Sequence, residues 1–167
     1  MESPLPKPTH TPAFSGATPV SSGPAPESGG PVHEALEPDA LAVSLDAALS
    51  RFGLSAYRPG QRESIERLLD EGQVLLVAPT GGGKSLSYQV PALLLEGTSL
   101  VISPLVSLMH DQVSALDALG IPATFLASTL SPGEMRKRLD GLAAGRYKLV
   151  YVAPERFSVP DFAPLLA

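Results

Sequence analysis

The sequence predicts an α/β domain: a parallel sheet with helices on both faces. Two observations lead there. Four short, almost wholly apolar runs, Val74–Ala78, Leu100–Ser103, Thr124–Leu126 and Leu149–Ala153, begin roughly 25 residues apart. The segments between them space their apolar residues as helices do, so the chain reads as successive βα units and not as a sequence repeat. Parallel strands covered on both faces should be apolar in this continuous way. The length of 167 residues gives room for one domain.

The elements follow in order. Residues 1–38 hold half of the prolines, with many Ser, Thr and Gly. Such a segment cannot bury enough apolar surface to offset its ordering entropy, so residues 1–39 are expected to be a disordered Pro-rich tail. The domain is placed at 40–167. Leu41, Leu45, Ala48, Leu49 and Phe52 predict a first helix, with Gly53 as its cap. A second starts near Pro59, carries Ile65, Leu68 and Leu69 on one side, and ends at Gly72. After the strand Val74–Ala78, a third helix is expected to stop or kink near Gln89, because Pro91 costs about 3 kcal/mol inside a regular helix. Leu105, Leu108, Met109, Val113, Leu116 and Leu119 predict a fourth, closed by Gly120. Ser131-Pro132-Gly133-Glu134 reads as a capping box opening a fifth. That helix should bury Met135, Leu139 and Leu142 and expose Arg136, Lys137 and Arg138.

Composition narrows the chemistry. The net charge is −5, and residues 1–40 hold one base and five acids, so the domain itself is nearly neutral. Nucleic-acid contact must therefore be local. Cysteine is absent, which excludes disulfides, Cys-based metal sites and a thiol nucleophile. No apolar run approaches membrane-spanning length, and a cytoplasmic protein without membrane association is the expectation. His10 and His33 fall in the tail, and His110 reads as a solvated helix-face residue.

Ala78-Pro79-Thr80-Gly81-Gly82-Gly83-Lys84-Ser85 carries the most specific chemistry. A strand, a glycine-rich turn, then Lys-Ser opening a helix is the arrangement that wraps a nucleoside triphosphate. Consecutive backbone N–H groups converge on the phosphates, and the helix N-terminus adds a positive dipole end. Thr80, Gly81, Gly82, Gly83, Lys84 and Ser85 are the candidate phosphate-binding residues. Lys84 is expected to act on the β/γ-phosphates as the catalytic lysine, and the Ser85 hydroxyl to ligate Mg²⁺. Ala78 stands where the usual first glycine would be. Kinases, GTPases, transporters and helicases all use such a loop.

Upstream, the Gln61 amide suits the N6 donor and N7 acceptor of adenine, and Arg58 could stack on the base. The stretch Phe52–Gln61, the loop with Tyr88-Gln89-Val90-Pro91-Ala92 after it, Val101–Val113 and Leu149–Phe157 together resemble, in order and spacing, the RecQ family of ATP-dependent DNA helicases. The resemblance runs from about Leu49 to Phe157. It implies an incomplete RecA-like P-loop domain with a parallel sheet, ATP and Mg²⁺ as cofactors, and adenine contacts from Arg58 and Gln61. It also implies contacts from Ser103, Pro104, Leu105, Pro154, Glu155 and Arg156 to DNA, single-stranded or duplex with a single-stranded tail. Leu54 and His110 depart from the family pattern, where an aromatic residue and a Lys are frequent.

The family's DEAH box and second lobe are not in the sequence, and Asp161 has no apolar strand ahead of it to make it a substitute. The expectation is therefore the N-terminal part of a 3′→5′ DNA helicase of recombination and repair, able by itself at most to bind ATP. The alternative is a truncated, non-catalytic remnant that binds a nucleotide or a partner.

Overall fold

In the computed structural model, the described residues are 38–160 apart from Thr80, together with Phe162. The tail assigned to residues 1–39 lies outside them except for its last two positions, and so do Thr80 and Asp161.

Three helices come first. Helix α1 (Pro38–Arg51) and helix α2 (Gln61–Glu71) pack with helix α3 (Leu86–Leu94) around Leu45, Ala48, Ile65 and Val90. The loop joining α1 to α2 is tied down by Tyr57, whose hydroxyl donates to Leu45 O at 2.7 Å. Burial raises the Tyr57 pKa above its ordinary value. Gly72 closes α2 as expected, its N–H donating to Leu68 O.

The remaining elements alternate. Strand β1 (Ser99–Ile102), helix α4 (Val106–Ala118), strand β2 (Ala123–Leu126), helix α5 (Pro132–Ala143) and strand β3 (Leu149–Val152) lead into a 3-10 turn over Pro154–Ser158. The strands form one parallel sheet in the order β1-β3-β2, with Ser99 and Ala123 both level with Leu149, and Ile102 and Leu126 both level with Val152. The central strand is buried along its whole length. Its side chains alternate between two cores. Leu149 and Tyr151 join Met109, Leu116, Ile121 and Phe125 on the α4 side. Val150 and Val152 join Leu126 and Phe162, with Met135, Leu139 and Leu142 of α5 against them. This is the α/β architecture that the apolar runs predict.

Four expectations need correction. Val74–Ala78 is not a strand: residues 73–79 pair with no strand among the described residues. Their side chains alternate between half-buried and exposed, leaving Leu75 90% and Val77 88% exposed. An apolar run supplies strand propensity, but a strand also needs a neighbour for its N–H and C=O groups. Second, α3 continues past Gln89 and contains Pro91. Pro91 removes one N–H, the one that would reach Ser87 O, and the buried contacts of Val90, Pro91 and Ala92 on both sides of it hold the helix together. Third, only part of the α4 stripe is internal, since Leu105, Leu108 and Leu119 are exposed. Fourth, Arg138 is drawn onto the sheet edge. Its Nη1 donates to Phe125 O at 2.9 Å, its guanidinium lies 4.3 Å from the Phe125 ring centroid, and Glu134 pairs with it at 3.5 Å. Arg136 and Lys137 are exposed as expected. The α5 cap also forms, Ser131 Oγ accepting from Glu134 N at 3.3 Å.

Candidate nucleotide site and nucleic-acid interface

The glycine-rich loop crosses from the extended segment to the head of α3. Gly81 and Gly83 adopt φ of 77° and 74°, backbone that side chains disfavour. At Gly83 there is a second reason for glycine: an added Cβ would run into the amide nitrogen of Gln61. Gly82 is constrained by space instead, a Cβ there standing 3.0 Å from Pro79 O. Ser85 is already helical, at φ −59° and ψ −38°, and heads α3.

Two sets of donors gather here. The backbone N–H groups of Gly83, Lys84 and Ser85 make no hydrogen bond among the described residues. They sit at a helix N-terminus, where unpaired N–H groups and the helix dipole both favour an anion. Lys84 is exposed, and its Nζ donates to Ala78 O at 2.9 Å and Pro79 O at 2.8 Å. The ammonium thus folds back on the carbonyls of its own loop. Unpaired amides, a nearby exposed lysine and a close-approach backbone fit a phosphate chain.

Arg58 and Gln61 meet the loop directly, which the sequence did not reveal. Arg58 Nη1 donates to Gly81 O, and Gln61 Nε2 donates to Gly83 O at 2.9 Å while its Oε1 accepts from Arg58 N at 2.8 Å. Gln61 is buried, so it braces the loop from beneath. Its amide keeps one hydrogen and one carbonyl lone pair for another partner. For Mg²⁺ the chain offers less. Ser85 supplies one hydroxyl, and no group of three or more His, Asp or Glu is arranged to hold an ion among the described residues. An octahedral shell would need phosphate and water oxygens as well.

The other predicted residues fall into two turns that the sheet places side by side. Ser103, Pro104 and Leu105 follow β1, and Pro154, Glu155 and Arg156 follow β3. Because Ile102 is level with Val152, both turns leave the carboxyl end of adjacent strands, and Ser103 N donates to Val152 O at 3.1 Å. That end is where open α/β sheets bind ligands. Ser103 Oγ accepts from Leu105 N at 3.3 Å, while Pro104 and Leu105 are exposed. Glu155 is exposed and accepts from Ser128 Oγ at 3.3 Å. Arg156 Nε is buried with no hydrogen-bond partner among the described residues, and its guanidinium lies 5.5 Å from the Phe162 ring centroid. His110 is exposed, its ring 6.0 Å from that of Phe125.

A second feature missed from sequence lies behind the loop. Gln89 of α3 donates to Gln112 Oε1 of α4 at 2.8 Å and to Tyr151 Oη of β3 at 3.0 Å. Burial pushes the Tyr151 phenol well above its ordinary range, so it stays protonated. Nothing in the helical period distinguishes Gln89 from a solvent-facing glutamine; only the apolar run Val90-Pro91-Ala92-Leu93-Leu94 after it hints at the role.

The DEAD/DEAH box helicase family matches residues 58–161, from the Gln61 brace to the turn after β3. The chain is 49% identical over 116 residues to the ATP-dependent DNA helicase RecQ of Bacillus subtilis (strain 168), covering 69% of this chain and 20% of that protein. Against the RecQ of Haemophilus influenzae it is 44% identical over 131 residues, covering 78% and 20%. The plant protein ATP-dependent DNA helicase Q-like 2 of Arabidopsis thaliana matches at 44% over 115 residues, covering 68% and 16%. The chain therefore spans about a fifth of the length of these relatives. With its glycine-rich loop, the Arg58 and Gln61 bonds to that loop and the paired strand-end turns all inside the matched region, the chain belongs to the DEAD/DEAH box helicase family, in its RecQ group.

Proposed function

We propose that this chain forms the ATP-gripping and DNA-contacting part of an ATP-dependent helicase that unwinds DNA with 3′→5′ polarity, in recombination and repair. The supporting observation is that the N–H groups of Gly83, Lys84 and Ser85 make no hydrogen bond among the described residues, with Lys84 exposed beside them. In this reading Lys84 exchanges the carbonyls of Ala78 and Pro79 for the β/γ-phosphates. Gln61 turns its remaining donor and acceptor to adenine, Arg58 lies against the base, and Ser85 gives one oxygen to Mg²⁺. Thr80 completes the loop. Bound ATP supplies the free energy of hydrolysis. Ser103, Pro104 and Leu105, with Pro154, Glu155 and Arg156, hold a single-stranded segment of DNA. Arg156, which follows the carboxyl end of β3, supports that assignment because its guanidinium can pair with a phosphate oxygen.

The sequence contains no Asp-Glu-Ala-His run, and we propose that the 167-residue chain alone binds ATP without turning it over. Binding of a fluorescent ATP analogue to this chain, competed by ATP and by GTP, tests the reading. ATP should compete better than GTP. Lys84→Ala should weaken binding tenfold or more, the equivalent of about 1.4 kcal/mol. Equal competition by GTP would remove the role given to Gln61, and unchanged binding by Lys84→Ala would remove that of the loop. DNA-stimulated ATP hydrolysis by the chain itself would refute the proposal that it lacks turnover.

A further inference from the structure

Helix α3 packs chiefly on α1 and α2, and it also meets the sheet, through apolar contacts of Ala92, Tyr88 and Leu93 and through the polar side chain of Gln89. Gln89 is buried, and its two amide hydrogens are both used: one goes to Gln112 of α4 at 2.8 Å, the other to Tyr151 of β3 at 3.0 Å. Tyr88 adds an edge-on contact to the same ring, with centroids 6.4 Å apart and planes at 75°. The backbone N–H of Gln89 donates to Ser85 O at 2.9 Å, so the residue is tied to the loop itself. Ser85 lies only four residues back, about 6 Å along the helix axis.

The two acceptors stand on the elements that carry the strand-end turns. Helix α4 starts from the Ser103–Leu105 turn, Met109 N donating to Leu105 O at 3.0 Å. Strand β3 runs directly into Pro154–Arg156, three residues beyond Tyr151. A leucine or methionine would fill the space behind the loop without directional bonds. An amide bound at both hydrogens in a buried setting instead fixes α3 to α4 and β3 within hydrogen-bond tolerance, and displacing it would strand three polar groups.

We infer that Gln89 is a positioning residue that couples the phosphate loop to the two strand-end turns, with Gln112 and Tyr151 as its receivers. The inference rests on the proposed nucleotide site. When phosphate draws Lys84 and the head of α3 into a new position, the Gln89 amide carries that shift to α4 through Gln112 and to β3 through Tyr151. The two arms are separable, because each acceptor takes one hydrogen of the amide.

Hydrogen exchange of the 167-residue chain, with and without ATP and Mg²⁺, tests this. In the unaltered chain ATP should slow exchange across residues 82–89 and also across 105–112 and 150–156, by about fivefold or more, as a coupling of ordinary size requires. Gln89→Met should keep the response at 82–89 and lose the other two. Tyr151→Phe, the milder change, should lose the response at 150–156 and keep that at 105–112, and it carries the test alone if Gln89→Met does not fold. A purely structural role would alter exchange equally with and without ATP. Retention of all three responses in either variant overturns the inference, as does an unaltered chain in which only 82–89 responds. If 82–89 itself fails to respond, the nucleotide site is refuted and the coupling falls with it.

Discussion

Two apolar runs of similar composition meet different fates in this molecule. Leu149-Val150-Tyr151-Val152 is the fully buried central strand, paired in parallel on both sides. Val74-Leu75-Leu76-Val77 leads into the phosphate loop, pairs with no described strand, and leaves two of its four side chains almost fully exposed. The difference shows what an apolar run does and does not encode. It encodes compatibility with a sheet covered on both faces, whereas the strand itself comes from neighbours far away in sequence. It also separates two jobs: the β1-β3-β2 sheet holds the fold, while the segment before the loop contributes through the backbone it delivers to Gly81–Ser85.

The largest expected effect breaks or confirms that division. Leu149→Ala removes a fully buried side chain from the central strand and should cost about 2–5 kcal/mol in urea unfolding. Leu75→Ala removes one that is 90% exposed and should stay within about 0.5 kcal/mol. Comparable losses in the two variants would mean that residues 73–79 are structural after all. Within the loop, Gly83→Ala should cost more than Gly81→Ala. Both incur left-handed backbone strain of about 1–2 kcal/mol, but only the Cβ at position 83 strikes Gln61. Adding Gln61→Ala should shrink the gap between the two glycine variants, measured by the same unfolding assay. On the sheet side, Ser131→Ala should cost about 1 kcal/mol, because Glu134 N loses its cap.

How much of this was legible in the sequence depends on the range of the interaction. Local signals carried well: the Ser131 cap and the glycine stop at Gly72 depend on residues a few positions apart, and the apolar runs at β2 and β3 marked segments compatible with a buried sheet. The glycine-rich turn into α3 was legible too, because its residues are consecutive. What failed was pairing at a distance. Arg138 looked like a solvent-face cation in a run of three, since the carbonyl and ring of Phe125 that capture it lie 13 residues away on another element. Pro91 looked like a helix stop because its single lost hydrogen bond is visible in sequence and the burial that compensates for it is not. The bonds from Arg58 and Gln61 to the loop span 23 and 22 residues, and no periodicity could announce them.

The last test concerns a residue that touches both regions. Tyr151 sits in the central strand and receives the Gln89 amide from the helix behind the loop. Burial is the main cause of its raised pKa, which the Gln89 hydrogen bond partly offsets and Tyr88 reinforces. The folded chain therefore holds the phenolic proton more tightly than the unfolded chain, whose ordinary value is 10.0. The sign follows: below pH 10 the contribution is fully present, and it is lost as pH rises toward the folded-state value. Half a unit above the ordinary value the loss is about 0.8 kcal/mol, and it then steepens toward about 1.4 kcal/mol per pH unit. Tyr57, shifted in the same direction by burial, adds a second contribution of the same sign. Urea unfolding between pH 8 and 11.5 should thus show a flat region and then a decline, and Tyr151→Phe should flatten that decline without abolishing it. An unchanged decline would mean that Tyr151 is hydrated in the native state, and the wall between sheet and loop would then be wetter than its 2% exposure implies.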